Sequence, residues 1–160
     1  MSLQEEITAR ASKIYRETYQ MSIGELINLY RDGEMDIHPE FQRVFRWSEY
    51  QKTKLIESIM LNIPIPSIFV SQNDDGVWDV IDGVQRLSTI FQFVGILKDE
   101  NGEDLPALTL QKTDYLPSFA GVQWNNEIPE LSFTKEQQLF FKRAYGRHYY
   151  EERKRSDYEI

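Results

Sequence analysis

Between Val77 and Val94 a β-prone run, V-W-D-V-I, meets Asp82-Gly83 and passes at once into a helical pattern. Val84, Leu87, Ile90, Phe91 and Val94 recur at helical spacing and place one apolar stripe against a core. Gln85, Arg86, Ser88 and Thr89 fall on the other faces near the helix start. A strand must therefore hand its last residue to a helix through a single glycine, and the rest of the fold has to accommodate that junction. Such a turn presents backbone N–H groups at the helix N-terminus, and with the helix dipole they favour an anion such as phosphate. Arg86 adds a planar, permanently charged fork suited to phosphate oxygens. A simpler reading is a strand–turn–helix in which Asp82 caps the helix and Arg86 makes an ordinary surface ion pair. Single-glycine turns are common, so the stretch taken alone favours the simpler reading.

The 160 residues fit one domain, or one domain with a helical appendage, and 41% hydrophobic residues with 13% aromatics supply a real core. Eighteen Lys and Arg stand against 26 Asp and Glu, a formal charge of −8. That balance argues against a sequence-independent DNA-coating protein, whose affinity comes from excess positive charge. The absence of cysteine excludes disulfide and thiolate chemistry and points to a reducing cytoplasm. No apolar run is long enough to span a bilayer and the N-terminus shows no signal-peptide h-region, so no membrane partner is expected.

Along the chain, residues 4 to 18 read as a polar helix. Ser22-Ile-Gly-Glu25 matches a capping box, with Ile23, Leu26, Ile27 and Tyr30 as the buried face of a short helix that Gly33 stops. Met35, Ile37, Phe41 and Phe45 suggest extended chain, which Pro39 limits to an edge or an irregular run. Ser48-Glu-Tyr-Gln51 is a second capping box, opening a helix with Leu55, Ile56, Ile59 and Met60 buried and ended by Asn62-Ile-Pro-Ile-Pro66. Residues 67–71 and 77–81 read as strands joined by the hairpin signal Asn73-Asp-Asp-Gly76. Lys98 to Asp104 reads as a polar loop, Leu105 to Leu110 as a short strand, and 111–132 as irregular chain. Thr134-Lys-Glu-Gln137 is a third capping box, and Phe141, Ala144, Tyr145, His148 and Tyr149 line one side of a helix running into a solvated E-E-R-K-R-S-D end.

Two Gln-Arg pairs, Gln42-Arg43 and Gln85-Arg86, would bring two arginines onto one anion if the first flanks the Asp82–Thr89 turn in space. Otherwise Arg43 and Arg46 simply pair with some of the carboxylates, an interaction worth under about 1 kcal/mol at a surface. Asp82 beside a phosphate would hold Mg²⁺, orient an attacking water, or turn away to cap the helix. His38 and His148 form no metal-binding spacing, and neither a P-loop nor a G-x-S-x-G elbow is present.

Two stretches together carry a family resemblance. Asp82-Gly-Val-Gln-Arg-Leu-Ser-Thr-Ile90 resembles the signature D-G-Q-Q-R-L-T-T-L. Upstream, Pro39-Glu-Phe-Gln-Arg43, Trp47, Lys54-Leu-Ile-Glu-Ser-Ile59 and Pro64-Ile-Pro66 resemble the P-x-F-Q-R…W…L-I-E-S-I…P-I-P pattern of the same family. This is the DGQQR-motif family, found as the N-terminal domain of GmrSD-type modification-dependent restriction enzymes and related phage-defence proteins. The resemblance is close over roughly residues 20 to 97. It implies an α+β fold of ParB/sulfiredoxin-like type, with a nucleotide-binding domain over residues 1–104. A partly irregular, helical extension over 105–160 completes the expected architecture.

The resemblance further implies a nucleoside triphosphate with Mg²⁺ as cofactor. Asp82 and Arg86 are the catalytic candidates, with Asp82 on the metal. Gln42, Arg43, Gly83, Gln85, Arg86, Ser88 and Thr89 would lie around the phosphates. Nucleotide turnover would regulate an HNH-type nuclease domain further along a longer chain or on a partner subunit, so DNA is engaged only indirectly. Val84 replaces the first glutamine of the signature, which leaves hydrolysis open while binding survives. No F-x-R-[IL]-N-x-x-G segment and no His-Asn-His constellation occurs, so these residues are expected to be the N-terminal part of a larger system and not to cut DNA alone. Sulfiredoxin chemistry is excluded because it needs a cysteine. Two other functions stay open: a ParB-like DNA-binding module, which the −8 charge disfavours, and a non-catalytic protein-interaction domain with a degenerate pocket.

Overall fold

Four of the α-helices begin where a Ser or Thr hydroxyl accepts a backbone N–H three residues on. Ser2 opens α1 (Leu3–Ala11), Ser22 opens α2 (Ile23–Arg31), Ser48 opens α3 (Glu49–Met60) and Thr134 opens α5 (Lys135–Arg143). At Ser48 and Thr134 the glutamine three residues later reaches back to the cap N–H and completes the box. At Ser22 the Glu25 carboxylate instead accepts from the Ser22 hydroxyl, at 3.4 Å. The ends are equally local. Gly33 (φ +75) and Asn62 (φ +59) turn left-handed, and the paired N–H bonds at each place close α2 and α3. Pro64 and Pro66 follow an end that Asn62 has already made.

The structure, a computed structural model, describes residues 2–12, 15–39 and 46–152, with backbone alone at 15–16 and 146–152. Five strands form one sheet in the order β1-β5-β3-β4-β2. They are β1 (Tyr15–Ser22), β2 (Met35–Asp36), β3 (Ile68–Gln72), β4 (Trp78–Asp82) and β5 (Tyr145–Glu152). β3 and β4 are the expected antiparallel hairpin, closed by the Asn73 N–H bond to the Val77 carbonyl. β4 continues directly into α4 (Val84–Phe93).

Ile68 and Val70 of β3 and Val80 of β4 point into one core with Leu26, Ile56, Ile90 and Phe91, while Phe69 and Ile81 stay exposed. Leu108, Leu110, Val122, Phe133 and Phe141 belong to the same core. The Phe93 ring meets Phe133 edge-on at 4.9 Å and Phe141 at 5.6 Å. Tyr30 stacks on Phe91 at 4.3 Å and its hydroxyl accepts the Lys98 N–H.

The architecture is mixed α+β, and several segments differ from the sequence expectation. The first helix stops at Ala11, and Tyr15–Ser22 is a strand rather than the end of a helix spanning 4–18. The last helix stops at Arg143, Ala144 turns extended (ψ 143), and Tyr145–Glu152 forms β5. The expected C-terminal helical extension is therefore a helix followed by a strand. Both errors have one cause: β1 and β5 pair antiparallel along their whole length, and β5 also pairs parallel with β3. Pairing on both edges outweighs the helical spacing of Phe141 to Tyr149. Of the charged run that follows, only Glu151 and Glu152 are described, and both are in β5.

Residues 105–110 are not a strand. Leu108 and Leu110 are buried there, and Leu110 exchanges backbone bonds with Val122 and Gly121 instead of with a sheet. Of the extended run only Met35–Asp36 is strand, paired parallel with β4. Phe41 and Phe45 lie outside the described residues. Among the described residues no helix is long and apolar enough to cross a membrane.

Candidate functional site

The junction of β4 and α4 is shaped by three features in succession. Phe69 of β3 pairs with Asp82 while its neighbour Val70 pairs with Val80, so Ile81 is an extra residue and the strand bulges. A bulge re-aims the chain that follows it. Gly83 then adopts φ +102, a conformation that suits glycine. A Cβ there would sit 2.8 Å from Ile68 Cγ1 and 3.2 Å from Arg86 Nη2, so the position is closed by packing as well as by its backbone. Gly83 itself occupies the cap position of α4 and offers no side chain to its amides. The first helical bond runs from the Leu87 N–H to the Gly83 carbonyl, at 3.0 Å, so the amides ahead of Leu87 precede the ladder.

Asp82 therefore does not cap the helix, contrary to the simpler reading of the sequence. Its carboxylate is 65% exposed, with Oδ2 3.8 Å from Arg86 Nη2. Arg86 is largely buried and is no ordinary surface cation. Its Nη2 donates to the Ser67 carbonyl at 2.9 Å, and its Nε is buried with no hydrogen-bond partner among the described residues. Gln85 faces backwards: its Oε1 accepts the Trp47 N–H at 3.2 Å, tying the segment before α3 to the first turn of α4. Thr89 is fully buried, and its hydroxyl donates to the Gln85 carbonyl at 2.8 Å, a bond within the helix. Ser88 is 6% exposed and lines an adjoining cleft. Gln42 and Arg43 lie outside the described residues.

A cleft of about 310 Å³ opens over this junction between Trp47 and the stretch from Ile81 to Arg86. A second, of about 280 Å³, begins at Gln85 and follows α4 past Ser88 and Gln92 toward Arg46, Lys52 and Lys98. A further cavity, about 600 Å³, lies by Asn62–Ser67 and Tyr145, and Ser67 links it to the turn. Among the described residues its lining holds no charged side chain, unlike the junction with Asp82 and Arg86.

Two features escaped the sequence reading. One is the Trp47–Gln85 bond, for which the sequence carries no local signal. The other is a group formed by Asp36, His38 and Asp79 at the β2–β4 edge. Asp36 and Asp79 are cross-strand partners, and His38 Nε2 lies 2.9 Å from Asp79 Oδ1 and Nδ1 3.6 Å from Asp36 Oδ2. Among the described residues this is where three ligand-type side chains converge, and Asp82 is not one of them.

Fold and site thus define an α+β domain in which a sheet feeds a bulged strand through glycine into an uncapped helix, with a buried arginine one turn in. Residues 23–159 match the model of the GmrSD restriction endonuclease N-terminal domain, and the chain belongs to that family. Membership makes it part of restriction or phage-defence machinery. No curated protein and no solved structure matches the chain.

Proposed function

We propose that the junction binds the phosphates of a nucleoside triphosphate and that the domain, ParB/sulfiredoxin-like in fold, uses this binding to regulate a nuclease domain in the same chain or on a partner. The observation that carries the reading is the start of α4. It lacks the hydroxyl cap that the other four α-helices have, and beside it stands Arg86, whose buried Nε has no partner among the described residues. Helix-terminal amides and a preorganised guanidinium are what a phosphate group needs.

Asp82 is exposed and close to Arg86, and a single carboxylate suits Mg²⁺, which binds through one or two carboxylates plus phosphate oxygens and water. When bound, the ion would neutralise phosphate charge. Gly83 fixes the turn and Gln85 holds the Trp47 segment beside it, which is positioning rather than covalent work. Thr89 acts within α4, and Ser88 belongs to the neighbouring cleft. Val84 offers no polar group at the place where the family signature has glutamine, which favours binding over turnover.

Thermal unfolding with ATP, GTP, CTP and UTP, each with and without Mg²⁺, tests this. A ligand at a hundred times its Kd stabilises by about 2.7 kcal/mol, enough to move a melting curve clearly. At least one nucleotide should do so, and Arg86→Lys should abolish the shift. An Arg86→Lys protein that binds nucleotide as well as the wild type would overturn the proposal. Salt-steep duplex DNA binding without a nucleotide response would favour the DNA-binding alternative instead.

A further inference from the structure

The cleft that follows α4 differs in charge from the turn it adjoins. Gln85, Ser88 and Gln92 are spaced i, i+3, i+7, so one polar stripe leads from the junction along the helix, about 10 Å over seven residues. Three cations and three carboxylates line it, so it has no net charge. Most of these charges are already committed. Lys52 donates to Gln92 Oε1 at 2.8 Å and lies 3.5 Å from Glu49, and Lys98 pairs with Asp104. Asp99 accepts the N–H groups of Asn101 and Glu103. Arg46 differs: it is exposed and makes no hydrogen bond or ion pair among the described residues. The Trp47 N–H bond to Gln85 holds the backbone next to it, and Arg46 lines the cleft. Leu97, Leu105 and Pro106 add apolar wall.

A neutral cleft with mixed donors and acceptors, apolar wall and a planar cation that is uncommitted among the described residues does not attract a polyanion. It suits a flat, uncharged heteroaromatic body with hydrogen-bonding edges, on which a guanidinium stacks. We infer that this cleft takes the nucleoside part of the ligand whose phosphates sit at the turn, with Arg46 stacked on the base, and that base selection resides here. The inference rests on the nucleotide reading above. It makes Arg46 a specificity residue and separates it from Arg86, which serves the phosphates.

Calorimetric titration of the wild type, Arg46→Ala, Arg46→Lys and Arg86→Lys with inorganic tripolyphosphate and with the four nucleoside triphosphates, all with Mg²⁺, separates the two roles. Arg46→Ala should weaken the preferred nucleotide roughly tenfold, in line with loss of one base-stacking contact. It should leave tripolyphosphate within about twofold and narrow the spread among the four bases. Arg46→Lys should behave like Arg46→Ala, because the planar face and not the charge is what acts. Arg86→Lys should weaken tripolyphosphate and nucleotides alike. Equal weakening of tripolyphosphate and nucleotide by Arg46→Ala would overturn the inference, as would full rescue by Arg46→Lys or no effect on either ligand. Failure of the wild type to bind any of the five would overturn the nucleotide reading itself, and this inference with it.

Discussion

Helices α3 and α4 pack together and begin in opposite ways. At α3 the Ser48 hydroxyl and the Gln51 amide close the helix start on itself, with both bonds made inside four residues. At α4 the cap position is Gly83, which offers no side chain, and the neighbouring Asp82 carboxylate is exposed beside Arg86. The closed start is satisfied locally and asks nothing of the rest of the molecule. The open start depends on it: a bulge in β4, the packing of Gly83 on Ile68, and the Trp47–Gln85 bond that joins the two helix beginnings. Capping closes α3 on itself, whereas α4 begins with no side-chain cap.

Substitutions at the two starts measure that contrast. Gly83→Ala should have the largest effect, about 3 kcal/mol of stability, from a side chain forced to positive φ and a Cβ driven into Ile68. Chemical denaturation reads it directly, and an unchanged midpoint would mean that the junction is not packed in this way. Ser48→Ala should cost about 1 kcal/mol, the ordinary value of a lost cap, and leave ligand binding alone. A loss at Ser48 equal to that at Gly83 would erase the distinction between the closed and open starts.

The smallest effect belongs to the scaffold side and to acid pH. Burial pushes the carboxyl of Glu57 in α3 up, but bonds from the Lys54 ammonium and the Thr113 hydroxyl outweigh it and hold its pKa below the usual 4.5. A carboxyl depressed in the folded state contributes stability above its unfolded pKa and loses it as pH falls through the folded value. Wild-type stability should therefore fall more steeply than that of Glu57→Gln as the pH drops below about 4.5, with parallel curves above. Urea denaturation between pH 6 and 3 compares the two, and identical acid limbs would show that Glu57 is not held this way.

What was legible in the sequence was what is local. Ser48–Gln51 and Thr134–Gln137 announce their helices because both partners lie within one turn, and Gly33, Asn62 and the Asn73–Gly76 turn act within a few residues. The strand–glycine–helix junction was readable for the same reason. The strands β1 and β5 were not, since each is a strand because the other is there, at the opposite end of the chain. In the site, the simpler reading of Asp82 as a cap fails because the cap position belongs to Gly83. The sequence places Thr89 among the phosphate ligands, whereas its buried hydroxyl bonds within its own helix. The Trp47–Gln85 bond spans 38 residues, and no spacing rule foretells it.

The place of β5 between β1 and β3 sets a timetable for synthesis. A nascent chain that has left the ribosome only as far as α5 carries β3 with one bare hydrogen-bonding edge and the β1 segment with no sheet partner on either of its edges. Neither β1 nor β3 can be completed by anything made earlier. Until Tyr145–Glu152 emerges, those edges are open to any extended segment nearby, including one from another nascent copy on the same message. The interval is lengthened because the closing pairs join segments far apart in sequence, and distant pairs form slowly. β5 is thus the element that joins β1 to β3, β4 and β2 in a single sheet.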